Sequence, residues 1–327
     1  MASAMTIQPL EKHIKLSDSR ILAYSDNGNS SSSCVVIFFH GAFGVGNATR
    51  LQPSLVEADV HFIAPTLPGW GTSTPRDQTI PYHVSLASDI TQLIQHLHPD
   101  ESNLSIYIAG GSFGTVPAQI LYGAPFDIFP LGRNIKGCMV LAPFSPFRLH
   151  KDYAKTMTTQ NYMAVGPPTQ FLPFHILPRL SSFYMRSKLK TIEDAEAFIR
   201  QNLFDNMKTE EKEAFRKWRE EHGKQEGEVE REFAENMVRS VAKTWDGYLE
   251  IADVIHGDWG FKPDGLDEER NRRPILIVGS EGDTMAPDAM AKWLAASYKN
   301  AHFRSINGGH LAALFHLDGL WKELLEL

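Results

Sequence analysis

The sequence predicts an α/β protein built on a mostly parallel β-sheet with helices on both faces. Short runs of β-branched and aromatic residues alternate with longer segments whose apolar residues have helical spacing, as in strands joined by crossover helices. His40, Ser112, Asp283 and His310 each follow one of the short runs. Parallel sheets carry their sites at the carboxyl ends of the strands, so these four residues are expected to meet at one rim.

The predicted elements follow in order along the chain. The first two strands form a hairpin, and the strand at 35–39 is a continuous β-branched and aromatic run, as a strand buried on both faces requires. Strands are predicted at 13–16, 21–26, 35–39, 61–64, 104–109, 136–141, 274–279 and 302–306, and helices at 84–97, 115–122, 287–298 and 311–327.

The chain changes character between about 145 and 260. This stretch has no obvious core strand, and it holds a proline and aromatic segment at 167–184 followed by highly charged helical sequence at 191–241. Charge runs of this kind usually form solvated helix faces. We therefore expect a core domain made of 1–145 and 260–327, covered by a helical lid at 146–259.

Composition excludes several classes of protein. The chain has 327 residues, of which 43% are hydrophobic and 22% charged, with a net charge of -7, so we expect a soluble globular protein that binds no nucleic acid. No apolar run is long enough to span a bilayer, and 1–16 lacks the pattern of a signal peptide. The sequence gives no indication of oligomeric state.

The two cysteines predict free thiols. Cys34 and Cys138 begin two predicted strands that a third should separate, by roughly 9–10 Å, which is too far for a disulfide. Buried thiols favour a reducing, cytoplasmic location. CxxC and HExxH patterns are absent, so no metal site is predicted, and no cofactor is expected.

Gly110-Gly111-Ser112-Phe113-Gly114 carries most of the functional information. It reads G-x-S-x-G between a predicted strand and a predicted helix, which is the context of a nucleophile elbow. Glycines at a strand end also serve as plain turn formers. The rest of the chain must therefore supply the groups that a nucleophilic serine needs.

His310 and Asp283 are the candidate base and acid. A serine hydroxyl needs an adjacent base, and an imidazole base needs a carboxylate to hold its tautomer. His310 follows Gly308-Gly309, and Asp283 follows the predicted strand at 274–279. Asp283 alone could be a turn residue or a helix cap, but no comparable strand precedes the rival acids Asp253 and Asp258.

Two backbone amides are predicted to bind the oxyanion. Phe113 follows the nucleophile at the start of a helix, where the N–H groups are free and the helix dipole favours negative charge. The second donor is expected in the loop His40-Gly41-Ala42-Phe43. We assign it to Ala42, with Phe43 as the alternative, and interpret His40 as a residue that braces the loop.

In this order, the motifs resemble those of lidded α/β-hydrolase-fold proteins. They are His-Gly at 40–41, Leu-Pro-Gly-x-Gly-x-Ser at 67–73, the serine motif, the aspartate after a strand, and Gly-His at 309–310. The resemblance implies an eight-stranded sheet with an antiparallel second strand and a helical cap inserted after strand six. Epoxide hydrolases and haloalkane dehalogenases are also similar, but they have aspartate in place of Ser112.

The sequence therefore predicts a cofactor-independent serine hydrolase that cleaves a carboxylic ester, lactone or related acyl bond of a small apolar metabolite. By motif position, Phe43 and Trp70 are expected near the nucleophile. Phe171, Phe174 and Tyr184, together with Phe183 and Met185, could form the inner wall of the lid.

Other activities remain open on the same residues. The triad could serve C–C bond hydrolysis, or a lyase or cyclisation step. The elbow is similar to that of proline iminopeptidases, although the loop reads His-Gly-Ala-Phe-Gly where those enzymes carry His-Gly-Gly-Pro-Gly. A ligand receptor that kept the fold is a further alternative, which an intact triad disfavours.

Overall fold

The computed structural model describes residues 11–100, 102–172 and 176–327 and contains one eight-stranded sheet. The strands are β1 (Lys12–Lys15), β2 (Ile21–Gly28), β3 (Cys34–Phe39), β4 (His61–Pro65), β5 (Ser105–Gly111), β6 (Ile135–Leu141), β7 (Ile275–Ser280) and β8 (Ala301–Ile306). Their order is β1-β2-β4-β3-β5-β6-β7-β8. β2 is antiparallel to both neighbours, and the other pairs are parallel. The predicted sheet, with its antiparallel second strand, is confirmed.

The helices in chain order are α1 (Pro53–Glu57), α2 (Tyr82–Leu97), α3 (Thr115–Gly123), α4 (Thr159–Val165), α5 (Pro168–Phe171), α6 (Ile176–Lys188), α7 (Ile192–Ile199), α8 (Thr209–Glu221), α9 (Glu228–Ser240), α10 (Asp246–His256), α11 (Glu268–Asn271), α12 (Asp288–Ser297) and α13 (Leu317–Glu326). Five of these elements sandwich the sheet: α2, α3 and α12 pack on one face, and α1 and α13 pack on the other. On α2, Leu86, Ile90 and Leu93 are buried, as their helical spacing requires.

The ends of the last elements differ from the prediction. The expected helix at 311–327 begins as a 3₁₀ turn at Ala312–His316 and continues as α13. No helix was predicted between 260 and 273, but this segment contains the short helix α11. The Asp267 carboxylate caps it by accepting a 2.8 Å hydrogen bond from the Arg270 amide.

The two cysteines lie on strands separated by β5, as predicted, and both thiols are free. Cys138 is fully buried, and this burial raises the pKa of its thiol. Neither sulfur atom is part of a cross-link; Cys138 lies in the packed interior of the sheet, and Cys34 is partly buried.

Helices α4 to α10 follow β6 and precede β7; residues 146–259 are called the helical insertion below. Its α9–α10 end is tied to the loop after β4. The Gly247 amide donates to the Gly69 carbonyl at 3.0 Å, and the Gly71 amide donates to the Ser240 carbonyl at 2.7 Å. Nearby, Arg76 forms an ion pair with Glu250. Among the described residues, no helix is both long enough and apolar enough to cross a bilayer.

Candidate active site

Ser112 stands at the sharp turn between β5 and a 3₁₀ turn, Ser112–Gly114, that leads into α3. Its φ is 53°, in the left-handed region. A Cβ atom at Gly110 would lie 2.1 Å from the Gly114 carbonyl oxygen, and one at Gly114 would lie 2.2 Å from the Phe39 carbonyl oxygen. Both motif glycines are therefore required by backbone contact, which is what a nucleophile elbow demands.

Two buried polar side chains on α3 brace the elbow. Thr115 Oγ1 donates to the Ser112 carbonyl at 2.6 Å and accepts from the Phe144 amide at 3.2 Å. Gln119 Nε2 donates to the Phe144 carbonyl at 3.0 Å. Phe144, whose backbone bonds to both side chains, lies in the loop after β6. This loop begins at Ala142, which has a φ of 48°. Sequence reasoning missed this brace, although polar residues on a buried helix face were a visible signal.

Asp283 and His310 meet at the ends of β7 and β8. His310 Nδ1 lies 2.8 Å from Asp283 Oδ2, and the Asp283 side chain is 0% exposed. The other carboxylate oxygen, Oδ1, accepts hydrogen bonds from the amides of Met285 at 2.8 Å and Ala286 at 3.0 Å. A carboxylate held in this way accepts the Nδ1 proton, which leaves Nε2 as the basic nitrogen.

His40 fixes the loop that faces Ser112. Its Nε2 accepts a hydrogen bond from the Leu67 amide at 2.9 Å, so Nδ1 carries the proton and donates to the Gly41 carbonyl at 2.8 Å. Burial lowers the pKa of His40 to about 4, so the ring is neutral near pH 7. A Cβ at Gly41 would lie 3.3 Å from Ser112 Cβ, which places this loop directly against Ser112.

The same loop supplies free backbone donors. Among the described residues, no group accepts a hydrogen bond from the amides of Ala42 or Phe43. Phe113 lies in the first turn of its helix, where amides have no intrahelical acceptor. Donors on two sides of a serine can stabilise a negative oxygen. The assignment of Ala42 rather than Phe43 stays a prediction.

An aromatic cluster lies beside the loop. Phe43, with a φ of 57°, stacks on Tyr248 at 4.9 Å between ring centroids. The ring of Trp245 lies 6.2 Å from Phe43, and that of Trp70 lies 5.8 Å from it. Burial raises the pKa of Tyr248, so its phenol stays neutral. Tyr248 and Trp245 carry no sequence motif and were missed.

The predicted substrate-binding residues differ in how deeply their side chains are buried. Trp70 is only 1% exposed and lies behind Phe43, whereas Phe171 is 82% and Tyr184 is 54% exposed. Phe183 is also exposed, and on the same helix Met185 is buried. Phe171 ends α5, whereas Phe183 and Tyr184 lie on α6. All three side chains are exposed to solvent instead of packed together as the expected inner wall. Phe174 lies outside the described residues.

A family model described as the alpha/beta hydrolase family matches residues 36–321. The chain belongs to the α/β-hydrolase family. This match spans β3 to α13 and includes the elbow, the helical insertion, Asp283 and His310. None of the curated proteins compared with this α/β-hydrolase matches its sequence.

Solved structures share its fold at low sequence identity. An alpha/beta hydrolase fold protein from Chitinophaga pinensis superposes with a TM-score of 0.58 at 15% identity, covering 97% of this chain and 96% of that one. A hydrolase from Pseudomonas aeruginosa gives 0.57 at 15%, covering 97% of each chain. An esterase from Exiguobacterium antarcticum gives 0.55 at 14%, covering 97% and 98%.

In this α/β-hydrolase the helical insertion also contacts the loop that carries His310. Glu211, a buried residue of α8, accepts a hydrogen bond from the Gly309 amide through Oε1 at 2.9 Å. The ring of Phe215 on α8 packs 5.4 Å from Phe315. One helix of the insertion is thus fastened on both sides of the catalytic-histidine candidate.

Replacing Glu211 by Ala is expected to lower kcat/KM about tenfold and the free energy of unfolding by about 1–3 kcal/mol, because the Gly309 amide loses its buried acceptor. Glu211→Gln keeps an accepting oxygen and should retain most of both. Hydrolysis of a 4-nitrophenyl ester and urea unfolding are the measurements. Glu210→Ala, at an exposed position of the same helix, is the control, and equal activity of the two alanine variants would contradict the expectation.

Proposed function

We propose that this α/β-hydrolase is a serine hydrolase that cleaves a carboxylic ester, lactone or related acyl bond through an acyl-enzyme. The observation that carries the proposal is the Asp283–His310 pair, 2.8 Å apart, at the same strand-end rim as Ser112. Family membership supports hydrolytic chemistry in general, and the fold hosts many reactions. The chemical assignment therefore depends on these three side chains.

In the proposed reaction, His310 Nε2 removes the Ser112 hydroxyl proton while Oγ attacks the substrate carbonyl. Asp283 holds the ring through Nδ1 and stabilises the imidazolium that forms. The amides of Phe113 and Ala42 bind the oxyanion. His310 then protonates the leaving alkoxide, and water cleaves the acyl-serine to release the acid and restore the hydroxyl.

The surroundings of the loop support an apolar acyl group. Phe43 and Tyr248 present stacked rings, and the buried indole of Trp70 lies behind them. Aromatic walls with a few convergent polar groups are typical of sites for small apolar ligands. We include Phe43 in the proposed acyl-binding wall, with Trp70 as the buried ring that supports it, and we propose that the helical insertion at 146–259 acts as the lid of the site.

A series of 4-nitrophenyl esters in ¹⁸O-labelled water tests this assignment. We expect kcat/KM to rise severalfold from acetyl to longer straight acyl chains, by about 0.8 kcal/mol per buried methylene at most. One labelled oxygen should appear in the released acid. Best activity on short charged esters would contradict the apolar site, and an acid released without label would contradict cleavage by water at the acyl carbon.

A fluorophosphonate probe separates an enzyme from a receptor. Covalent labelling located to Ser112 by mass spectrometry is expected, with none in Ser112→Ala. An unlabelled protein that binds a metabolite tightly would favour the receptor. Release of proline from a dipeptide would favour the peptidase alternative.

A further inference from the structure

The outer face of α6 carries the main exposed apolar surface of the described chain. Eight of the eleven large apolar side chains that are exposed lie between Tyr162 and Tyr184. On α6 itself, Ile176 is 41%, Leu180 63%, Phe183 78% and Tyr184 54% exposed. Helical spacing puts these four side chains on one stripe, called the α6 face below. Clustered exposed apolar groups mark an interaction surface, whereas scattered ones do not.

The opposite side of α6 is already occupied. Ser182 and Met185 are buried, and the Ser181 hydroxyl lies 2.5 Å from the Tyr248 hydroxyl. Tyr248 in turn stacks on Phe43 in the loop that faces Ser112. Because this inner side is packed against the rest of the fold, the helix cannot turn to bury its outer stripe.

The sequence segment that contains α6 is positively charged. Between Asp152 and Glu193 the sequence has no acidic residue, and it has five basic ones although the whole chain carries a net charge of -7. They are Lys155, Arg179, Arg186, Lys188 and Lys190. Within the described ranges, none of the last four forms an ion pair with a carboxylate.

Arg186 and Lys188 lie over aromatic rings, those of Trp245 and Tyr184. Apolar groups flanked by cations that have no carboxylate partner among the described residues match a surface with an apolar interior and an anionic exterior. Aromatic and aliphatic side chains enter the acyl region of a leaflet, while Lys and Arg reach its anionic headgroups. A second copy of the chain fits less well. A two-fold interface would place this positive segment against itself, with like charges facing each other.

We propose that the α6 face docks on an anionic lipid surface. The inner side of α6 contacts Tyr248, and Tyr248 stacks on Phe43. The docked helix therefore lies next to the aromatic wall of the candidate site. The substrate class that this arrangement favours is an acyl ester dissolved in the leaflet. That last statement, unlike the docking itself, rests on the proposed function.

Sedimentation with lipid vesicles tests the docking. The full-length protein is expected to bind vesicles of phosphatidylcholine with about 30 mol% phosphatidylglycerol at least tenfold more tightly than phosphatidylcholine alone. The double variant Leu180→Ser/Phe183→Ser should bind about tenfold or more weakly. Arg179→Glu/Lys190→Glu should abolish the preference for anionic vesicles. Val56→Ser, at an apolar position of α1 that is 61% exposed, is the matched control and should bind normally.

Several outcomes would overturn the proposal. One is that the wild-type protein binds neither kind of vesicle. Another is that the Leu180→Ser/Phe183→Ser variant binds vesicles as tightly as the Val56→Ser control. A third is a dimer in analytical ultracentrifugation that the double variant dissociates, since a second copy would then cover the face. Circular dichroism checks that the variants are folded, which their exposed positions favour.

The Ser112→Ala variant tests the proposed docking independently of the proposed catalysis. It should bind vesicles like the wild type. If the proposed catalysis were wrong, vesicle binding would persist while hydrolysis of soluble esters did not depend on Ser112. If the docking were wrong, hydrolysis of soluble esters would persist without vesicle binding. For the substrate class, the double variant should lose activity on a vesicle-dissolved ester at least tenfold more than on a soluble one, and equal losses would overturn that statement.

Discussion

Ser112→Ala is expected to reduce kcat/KM for an activated ester by roughly 10⁴- to 10⁶-fold, because no other group can form the acyl intermediate. The fold should survive. Ser112 is braced through its backbone carbonyl, which accepts from Thr115, and alanine keeps this contact. We expect the free energy of unfolding to change by less than about 1 kcal/mol. Steady-state kinetics and urea unfolding are the two measurements.

Ser88→Ala is the matched control, since Ser88 lies exposed on α2. It should match the wild type in both measurements. A Ser112→Ala protein that retained a tenth of the activity would eliminate the covalent mechanism. A Ser112→Ala protein that failed to fold would be replaced by Ser112→Cys, whose thiol keeps the attacking position and a residual burst of acylation.

Asp283→Asn is expected to lower kcat about 10⁴-fold, through the tautomer of His310. The amides of Met285 and Ala286 can only donate, so the asparagine must turn its oxygen toward them and its NH₂ group toward His310. Nδ1 must then accept, and the proton moves to Nε2. The imidazole can no longer take the Ser112 proton. Single-turnover kinetics measures the loss at the acylation step.

The control for this substitution is Asp264→Asn, at an exposed position between α10 and α11. It removes the same charge away from the site and should leave kcat unchanged. Near-UV circular dichroism should show that both proteins have native packing. Acylation by Asp283→Asn at more than a tenth of the wild-type rate would exclude Asp283 as the group that orients the base.

The sheet could be predicted from the sequence because its signals are local. Val35, Val36 and Ile37 form one apolar run and are fully buried, and a strand covered on both faces requires such a run. The hairpin pattern predicted that β1 and β2 are antiparallel, whereas the antiparallel placement of β2 in the larger sheet followed only from the family resemblance. The structure of residues 311–327 was harder to predict, because a 3₁₀ turn and an α-helix share the same spacing of apolar residues over a few positions.

The candidate site shows the same difference between local signals, which the sequence reveals, and contacts across the fold, which it does not. Ser112 and its glycines form a short motif, so the strand, turn and helix around them could be inferred together. Tyr248 and Glu211 could not, because each touches the site only through contacts across the fold, with Phe43 and with the Gly309 amide. The outward turn of Tyr184 depends on how α6 rotates on its neighbours, which its mixed apolar pattern does not specify.

Three non-glycine residues at the strand-end rim have positive φ values: Phe43 at 57°, Ser112 at 53° and Ala142 at 48°. A left-handed backbone costs a non-glycine residue about 1–2 kcal/mol. The strained backbone at this rim therefore lowers the stability of the fold while it holds these three residues in position. Screens for thermostable variants should find glycine favoured at Ser112 and Ala142, whose small side chains contribute little packing, whereas the ring contacts of Phe43 offset its strain. At Ser112 such a gain would remove the proposed nucleophile, which is a trade-off between stability and activity at a single residue.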